Sequence, residues 1–164
     1  MTLYIFAGLP GTGKSTLARR LAQHLGITWL RIDTMEQALR DVGLPDVLRY
    51  GYDLTARIAA DQLKLGQSAI ADSVNPIAAS RNAWRQCATE AGANFVDIEI
   101  ICSDPAEHRR RVETRTPSVP GLALPTWNDV LARRYDPWDV PPIRIDTAGR
   151  SPDAAFGALL ASLG

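Results

Sequence analysis

The segment Gly8–Ser15 reads Gly-Leu-Pro-Gly-Thr-Gly-Lys-Ser, which matches the P-loop pattern G-x-x-x-x-G-K-[ST]. The apolar run 3–7 before it is typical of a short strand, and Leu17, Leu21 and Leu25 after it recur at helical spacing. A P-loop requires a strand, a glycine loop and a helix in this order. The sequence therefore predicts a phosphate-binding loop rather than a glycine-rich turn that binds nothing.

The residue types of this loop suit a nucleotide phosphate. Its three glycines allow several backbone N–H groups to face one point, and the following helix adds unpaired N–H groups and its positive dipole end. We expect Lys14 to be exposed and to reach the β- and γ-phosphates of ATP, and the Ser15 hydroxyl to bind Mg²⁺. The residues predicted to bind the nucleotide in this loop are Gly8, Gly11, Thr12, Gly13, Lys14, Ser15 and Thr16.

Composition limits the classes of protein to which the chain can belong. With 164 residues, 46% hydrophobic and 22% charged, the chain suits one globular domain, residues 1–164. The chain has 18 Lys and Arg residues and 18 Asp and Glu residues, and this balance argues against a protein that binds long nucleic acid.

We expect no membrane partner, because no apolar run approaches the roughly 20 residues of a membrane helix. The start of the chain has no signal-peptide pattern, and Cys87 and Cys102 fit a reducing, cytoplasmic setting. Nothing in the sequence specifies an oligomeric state.

Strand-type runs alternate with helix-type runs along the chain. After the first strand, further strands are predicted over 28–32, 68–71, 95–101 and 142–145. This alternation predicts an α/β domain with a mainly parallel sheet, and ligands bind such sheets at the carboxyl ends of the strands. Five residues just after strand ends should therefore gather along one rim: Gly8, Asp33, Asp72, Ser103 and Asp146.

Turn and cap residues predict where the helices begin. Residues 41–52 contain two glycines and a proline, so we expect a loop there. Asn75 and Pro76 are typical of an N-cap followed by proline at the first helical position. Asp104 and Pro105 predict the start of the next helix in the same way.

Two aspartates are candidates for the chemistry at the phosphates. A kinase needs a carboxylate that orients the acceptor hydroxyl and takes its proton, and Asp33 after the second strand could do so. The alternative is that Asp33 only caps the next helix. Asp72 ends the third strand, where a carboxylate would hold Mg²⁺ directly or through water, or would instead order the residues that follow.

A cluster of four arginines lies on one predicted helix, at positions 109, 110, 111 and 115. Arg111 and Arg115 are four residues apart and share a face, and the proline- and glycine-rich stretch 116–125 follows. We expect residues 109–125 to form a mobile lid whose Arg111 and Arg115 neutralise charge on the transferring phosphoryl group. The alternative is a solvated helix face.

The order of motifs resembles a known family. GLPGTGKST is followed by RID at 31–33, ADSVNP at 71–76, RNAW at 81–84 and a basic helix. Together they resemble the small P-loop kinases of the AAA_33 type, which are similar to the kinase domain of phage polynucleotide kinase, to zeta toxins and to chloramphenicol phosphotransferase. The resemblance implies the P-loop NTPase fold, with five parallel strands in the order 2-3-1-4-5, helices on both faces and a mobile lid.

The resemblance also implies roles for individual residues. The catalytic aspartate of the family corresponds to Asp33, and its lid arginines correspond best to Arg111 and Arg115. The loop after the fifth strand, with Asp146 and Thr147, would lie near the adenine of ATP. Polynucleotide kinase has an arginine three positions after its catalytic aspartate, where this chain has Glu36. This departure weakens the case for a nucleic-acid substrate.

Three functions follow from these observations. The leading one is an ATP-dependent kinase that phosphorylates a hydroxyl of a small molecule. The first alternative is a 5′-hydroxyl polynucleotide kinase, against which the neutral charge and Glu36 count. The second is a nucleotide-binding switch or ATPase that transfers phosphate to water, which needs a glutamine or glutamate to position that water. Gln67 precedes the third strand and lies at the wrong end of the sheet for this role.

Overall fold

Five parallel strands form the sheet on which the fold is built, and they lie in the order β2-β3-β1-β4-β5. The structure is a computed structural model and describes residues 1–44 and 47–164. Its strands are β1 (Thr2–Ala7), β2 (Thr28–Arg31), β3 (Ala69–Asp72), β4 (Asn94–Ile101) and β5 (Ile143–Asp146). The strand order and the parallel pairing confirm the single-domain α/β fold predicted from the sequence.

Helices cover both faces of the sheet. They are α1 (Lys14–Leu25), α2 (Ile32–Asp41), α3 (Val47–Lys64), α4 (Ala78–Glu90), α5 (Pro105–Thr114), α6 (Trp127–Ala132) and α7 (Pro152–Leu163). Residues of α1 and α7 pack on one face and residues of α3 and α4 on the other. Within the described ranges, no helix combines the length and the apolar character needed to cross a lipid bilayer.

The central strand β1 shows why these apolar runs become strands. Its alternate residues Leu3 and Ile5 pack against the α3/α4 face, while Tyr4 and Phe6 pack against the α1/α7 face. A strand that is buried on both faces reads as a continuous apolar run, as this one does. Each fully buried leucine, isoleucine or phenylalanine contributes roughly 1.5–3 kcal/mol, so the two faces hold the sheet in register.

The loop predicted over 41–52 is wrong from residue 47 onward, where α3 begins. Pro45, one basis of that prediction, lies outside the described residues. Gly51 is a buried part of α3, and a Cβ atom at this position would lie 2.6 Å from the Glu36 Cγ atom. The glycine therefore marks a close approach of two helices rather than a turn. Gly43, with φ of 76°, follows the end of α2 as predicted for a loop residue.

The predicted N-cap at Asn75 is also wrong, because α4 begins at Ala78 with Ile77 as its N-cap residue. Asn75 has φ of 46°, and its side chain is used elsewhere. Its amide donates to the Phe6 carbonyl at 2.8 Å, and its Oδ1 atom accepts from Trp84 Nε1 at 3.1 Å. Asn75 thus ties the end of β1 to α4. The predicted cap at Asp104 is confirmed, since its carboxylate accepts two backbone N–H groups of α5.

Hydrogen bonds from Arg81 join the chain segment 135–138 to the segment that follows β3. The residue is 1% exposed, and its guanidinium donates to the carbonyl groups of Asn75, Pro76, Asp136 and Pro137. It also stacks over the Trp138 ring with a distance of 4.0 Å to the centroid. Because the planar fork of arginine satisfies several carbonyl groups at once, a single side chain fixes both segments.

We expect Arg81→Met to destabilise the protein by about 3 kcal/mol or more, because it leaves several buried carbonyl groups without a donor. For a chain of this size the melting temperature should fall by roughly 6–12 °C. Arg81→Lys should recover only part of this loss, since an ammonium group cannot reproduce the fork. Thermal unfolding of both variants beside Arg57→Met, at an exposed position of α3, measures the effect. Equal melting temperatures for Arg81→Met and Arg57→Met would contradict the role assigned to Arg81.

Candidate active site

A cleft of about 950 Å³ opens at the carboxyl end of the sheet. Its walls come from the loop after β1, the start of α2, the loop after β3, the end of α5 and part of the segment 116–125. Of the five residues predicted to share this rim, Asp33 lines the cleft directly. Asp72 lies behind the cleft wall, and Ser103 and Asp146 bond to each other at the β4–β5 end of the rim. The residues therefore lie along one rim as predicted, but not all of them line the cleft.

The glycines of the P-loop are required by close packing as well as by backbone conformation. A Cβ atom on Gly8 would overlap the carbonyl oxygen of Ile100, and one on Gly11 would lie 2.5 Å from Val112 Cγ2. Both positions have φ in the left-handed region, at 142° and 87°. The His108 ring nitrogen Nε2 is also bonded to the Pro10 carbonyl at 2.8 Å. Strand β4 and helix α5 therefore hold the loop in its phosphate-binding shape.

Lys14 forms an ion pair with Asp72 beneath this loop. Its Nζ atom lies 2.7 Å from Asp72 Oδ1, and the Asp72 side chain is fully buried. Trp29 Nε1 donates to the other carboxylate oxygen at 3.1 Å. The prediction that Lys14 is exposed is thus wrong, since the residue is 8% exposed. A buried carboxylate needs a cation, and Lys14 supplies it.

The oxygen donors near Lys14 suit a magnesium ion to different degrees. Ser15 lines the cleft at the start of α1, 3.3 Å from Lys14 Nζ, and a hydroxyl oxygen is a ligand that Mg²⁺ accepts. Asp72 does not line the cleft, and both of its oxygens already accept a hydrogen bond. No cluster of three or more His, Cys, Asp or Glu side chains in the described part of the chain is arranged to hold a metal ion. Ser15 therefore fits as a direct ligand better than Asp72 does.

Asp33 does not occupy the cap position of the helix that it begins. It is the second residue of α2, whose N-cap position is occupied by Arg31. Its carboxylate is 43% exposed and lines the cleft, 3.5 Å from the Arg31 guanidinium. A carboxylate that is open to the cleft and has only one long contact can accept a proton from a bound ligand.

Arg111 and Arg115 differ in what already surrounds them. Arg111 donates to the hydroxyl and the carbonyl of Thr147 at 2.8 and 2.9 Å and to Glu107 at 2.6 Å, so its position is fixed. Arg115 follows the last residue of α5 and lines the cleft. Its Nε and Nη2 atoms are buried and have no hydrogen-bond partner among the described residues. Of these two arginines, Arg115 is therefore the one with buried donors that no described residue accepts from.

Acidic residues one helical turn away pair with two of the four clustered arginines. Arg109 pairs with Glu113 at 2.8 Å, and Arg111 pairs with Glu107. Arg115 has no such partner on α5. Burial lowers the pKa of Arg115, while Asp33 raises it and Arg31 lowers it. Arg115 lines the same cleft as these residues around the start of α2.

One wall of the cleft consists of residues to which the sequence assigns no individual catalytic or binding role. Glu36 is 7% exposed and accepts from Arg40, and burial raises the pKa of its carboxyl. Burial likewise raises the pKa of Tyr52, which lies close to Ser73. The Ser73 hydroxyl is buried and has no partner within the described ranges. Only the fold brings this wall together, because its residues come from α2, α3 and the loop after β3.

Asp146 and Thr147 lie on the far side of the P-loop. The Asp146 carboxylate accepts from the backbone N–H groups of Ser103 and Ala148, each at 3.0 Å, and hydrogen bonding to Ser103 lowers its pKa. Thr147 is 4% exposed, and its hydroxyl donates to the Thr12 carbonyl at 2.8 Å. Thr147 also lines a second cavity of about 320 Å³ beside Gly13 and Thr16. Thr147 is thus placed beside the P-loop, whereas Asp146 is used within its own turn.

Known proteins resemble this chain in sequence and in fold. The family model AAA_33, described as an AAA domain, matches residues 3–136. The adenylyl-sulfate kinase of Myxococcus xanthus (strain DK1622) is 38% identical over 104 residues, which are 57% of this chain and 54% of that protein. The chain thus spans about half the length of the curated relative that it matches.

Solved structures share the whole fold. A gluconokinase from Sinorhizobium meliloti 1021 superposes with a TM-score of 0.69 at 17% identity and covers 99% of this chain and 91% of its own. The APS kinase of Mycobacterium tuberculosis, solved in complex with AMPPNP and APS, gives a TM-score of 0.68 at 20% identity, with coverage of 99% and 96%. At these identities the likeness establishes the fold.

The buried Glu36 leads to a stability prediction. Because burial raises its pKa, the folded protein binds this proton more tightly, and stability falls as the pH rises from the ordinary carboxyl pKa through the raised one. Glu36→Gln should therefore raise the melting temperature at pH 7. The gain should fade as the pH is lowered through the raised pKa, because the folded state then carries the neutral carboxyl. Melting curves from pH 4 to 8 beside Glu90→Gln, at an exposed position, test this; a gain that does not vary with pH would refute it.

Proposed function

The chain belongs to the AAA_33 family of small P-loop kinases, and we propose that it transfers the γ-phosphate of ATP to a hydroxyl group of a small molecule. The observation that carries the proposal is the arrangement of the cleft. The phosphate-binding loop and the Asp33 carboxylate open into the same space. A donor phosphate on one side and a base on the other are the two requirements of phosphoryl transfer to a hydroxyl.

The chemistry that we propose uses residues with distinct tasks. The acceptor hydroxyl oxygen forms a bond to the γ-phosphorus atom, the bond from that atom to the β–γ bridging oxygen breaks, and ADP leaves. Asp33 orients the hydroxyl and takes its proton. Backbone N–H groups of the P-loop and the Lys14 ammonium group hold the phosphates, once Lys14 has turned from Asp72. Arg115 adds one of its two free donor atoms to the charge of the transferring group.

Magnesium and the nucleotide base have places in this proposal. Mg²⁺, when bound, would neutralise phosphate charge and draw electrons from the transferring group. Ser15 would hold it through the hydroxyl, and Asp72 would act through water. The second cavity, which Thr147 and Thr16 line, lies where the base and ribose of ATP would extend from the P-loop. Asp146 would support this region by holding its turn.

We also propose that residues 109–125 act as a lid, although the two halves of the segment differ. Residues up to Thr114 are helical, and Arg111 is bonded to Thr147. The part from 116 to 125 contains no helix or strand and forms part of the cleft wall. Movement of this second part would shift the adjoining Arg115 toward the phosphates. It would also exclude water, which would otherwise compete as the acceptor.

ADP release in the presence of a panel of hydroxyl compounds tests the proposed activity, and Lys14→Ala should abolish it. The buried Asp72 loses its cation in this variant, so its melting temperature should fall as well. Lys14→Arg keeps a positive charge for Asp72 and should also be inactive, because the larger group does not fit the same position beneath the P-loop. Lys64→Ala, at an exposed position of α3, is the matched control. Kinase activity in a folded Lys14 variant would contradict the P-loop mechanism.

Asp33→Asn should retain ATP binding but lower turnover by roughly 10²-fold or more, since the amide keeps the shape but cannot accept the proton. ATP affinity and turnover, measured on the same preparations, separate binding from chemistry. Asp61→Asn, exposed on α3, serves as the control. Unchanged turnover in Asp33→Asn would mean that the base is another residue.

A further inference from the structure

We infer that the acceptor of this kinase carries an anionic group, such as a phosphate, sulfate or carboxylate, and that Arg31 and Arg115 bind that group beside Asp33. The inference rests on the proposed function and names the class of its acceptor. It starts from donors that the fold buries and leaves unused on both sides of the cleft.

Arg31 and Arg115 line the same cleft from two different parts of the chain. Arg31 ends β2, and its side chain is 13% exposed. Its Nε atom is buried without a partner in the described part of the chain, as are Nε and Nη2 of Arg115. Burial lowers the pKa of Arg115, and the charge of Arg31 also lowers it. Like charges that line one cleft and keep buried, unused donors are costly unless an anion accepts from them.

The charges that line the cleft support an anionic ligand on the acceptor side. The cationic side chains there are Lys14, Arg31, Arg40, Arg111, Arg115 and Arg133, and the acidic ones are Asp33 and Glu36. Two of these cations have partners that do not line the cleft: Lys14 pairs with Asp72, and Arg111 bonds to Glu107 and Thr147. Arg40 pairs with Glu36, and Arg31 touches Asp33 only at 3.5 Å. The region around Asp33 is therefore left with an excess of positive charge.

The position of Arg31 in the sheet favours the acceptor over the γ-phosphate as the source of this anion. In register, Arg31 lies beside Asp72 of β3, which lies beside Phe6 of β1. Parallel strands are about 4.8 Å apart, so Arg31 begins roughly 10 Å from the strand that carries the P-loop. Asp33, the proposed base, lies next to Arg31 on the same side. A group that reaches Arg31 would thus belong to the molecule whose hydroxyl Asp33 contacts.

The geometry of the two side chains suits an oxyanion. A guanidinium fork donates two parallel N–H groups to a carboxylate, phosphate or sulfate, and such charge-assisted bonds are about twice as strong as neutral ones. The Arg31 guanidinium also lies over the Trp29 ring at 5.6 Å, which holds it toward the cleft. Trp29 in turn donates to Asp72, so the position of Arg31 is connected to the ion pair beneath the P-loop.

Sulfate is a suitable probe of the site because the acceptor is unidentified. Its affinity would be measured by calorimetry at constant ionic strength, with the protein saturated by AMPPNP and Mg²⁺ so that the γ-phosphate position is filled. We expect sulfate to bind this complex, and Arg31→Gln and Arg115→Gln each to weaken that binding by roughly tenfold or more. Arg57→Gln, exposed on α3, should leave it unchanged.

Three results would overturn the inference. Sulfate that binds the free protein but is displaced by AMPPNP would assign the two arginines to the γ-phosphate. Equal sulfate affinity in the wild type and in Arg31→Gln would indicate an adventitious ion only. No sulfate binding to the AMPPNP complex would show that no oxyanion site exists there.

Activity on matched acceptors separates this inference from the proposed function. Pairs of polyols with and without one phosphate group would be compared by ADP release, and the anionic member should have the lower KM, with the difference lost in Arg31→Gln. Activity on the neutral members alone would overturn the anionic acceptor and leave the kinase in place. Sulfate binding as expected, with no ADP release from any compound, would refute the kinase and leave the anion site in place.

Discussion

The ion pair between Lys14 and Asp72 is the interaction on which the rest of the site depends. It joins the first residue of α1 to the last residue of β3 at 2.7 Å, and Trp29 of β2 donates to the same carboxylate. Three neighbouring parts of the sheet edge are thereby held at fixed positions. The buried charge of Asp72 is compensated by Lys14, and removing either partner would leave an uncompensated buried charge.

The arginines around the cleft have different tasks, and their partners distinguish them. The Arg81 guanidinium donates to four carbonyl groups, so this residue has a structural role. Arg111 is fixed between Glu107 and Thr147 beside the P-loop. Arg31 and Arg115 keep buried donors that no described residue accepts from. Because an unpaired buried donor costs free energy, these two side chains mark the place where a ligand completes the structure.

The sequence predicts the parts of the fold that depend on local pattern. The P-loop, the strands and the cap at Asp104 follow from spacing and residue type, and the strand order follows from the family resemblance. The cap predicted at Asn75 fails because tertiary contacts with Phe6 and Trp84 occupy its side chain and draw it into a left-handed conformation. The loop predicted around Gly51 fails for a similar reason, since the glycine makes room for Glu36. Local rules are overridden where two distant segments must touch.

The acceptor side of the cleft could not be predicted from the sequence, and the reason lies in how it is assembled. Glu36, Tyr52 and Ser73 come from α2, α3 and the loop after β3, which only tertiary contacts bring together. None of them belongs to a motif, whereas the phosphate side is one continuous loop. Phosphate is common to all substrates of P-loop proteins and can be bound by backbone N–H groups, which every sequence has. Acceptors differ in shape and charge, so they must be recognised by side chains that only the folded chain brings together.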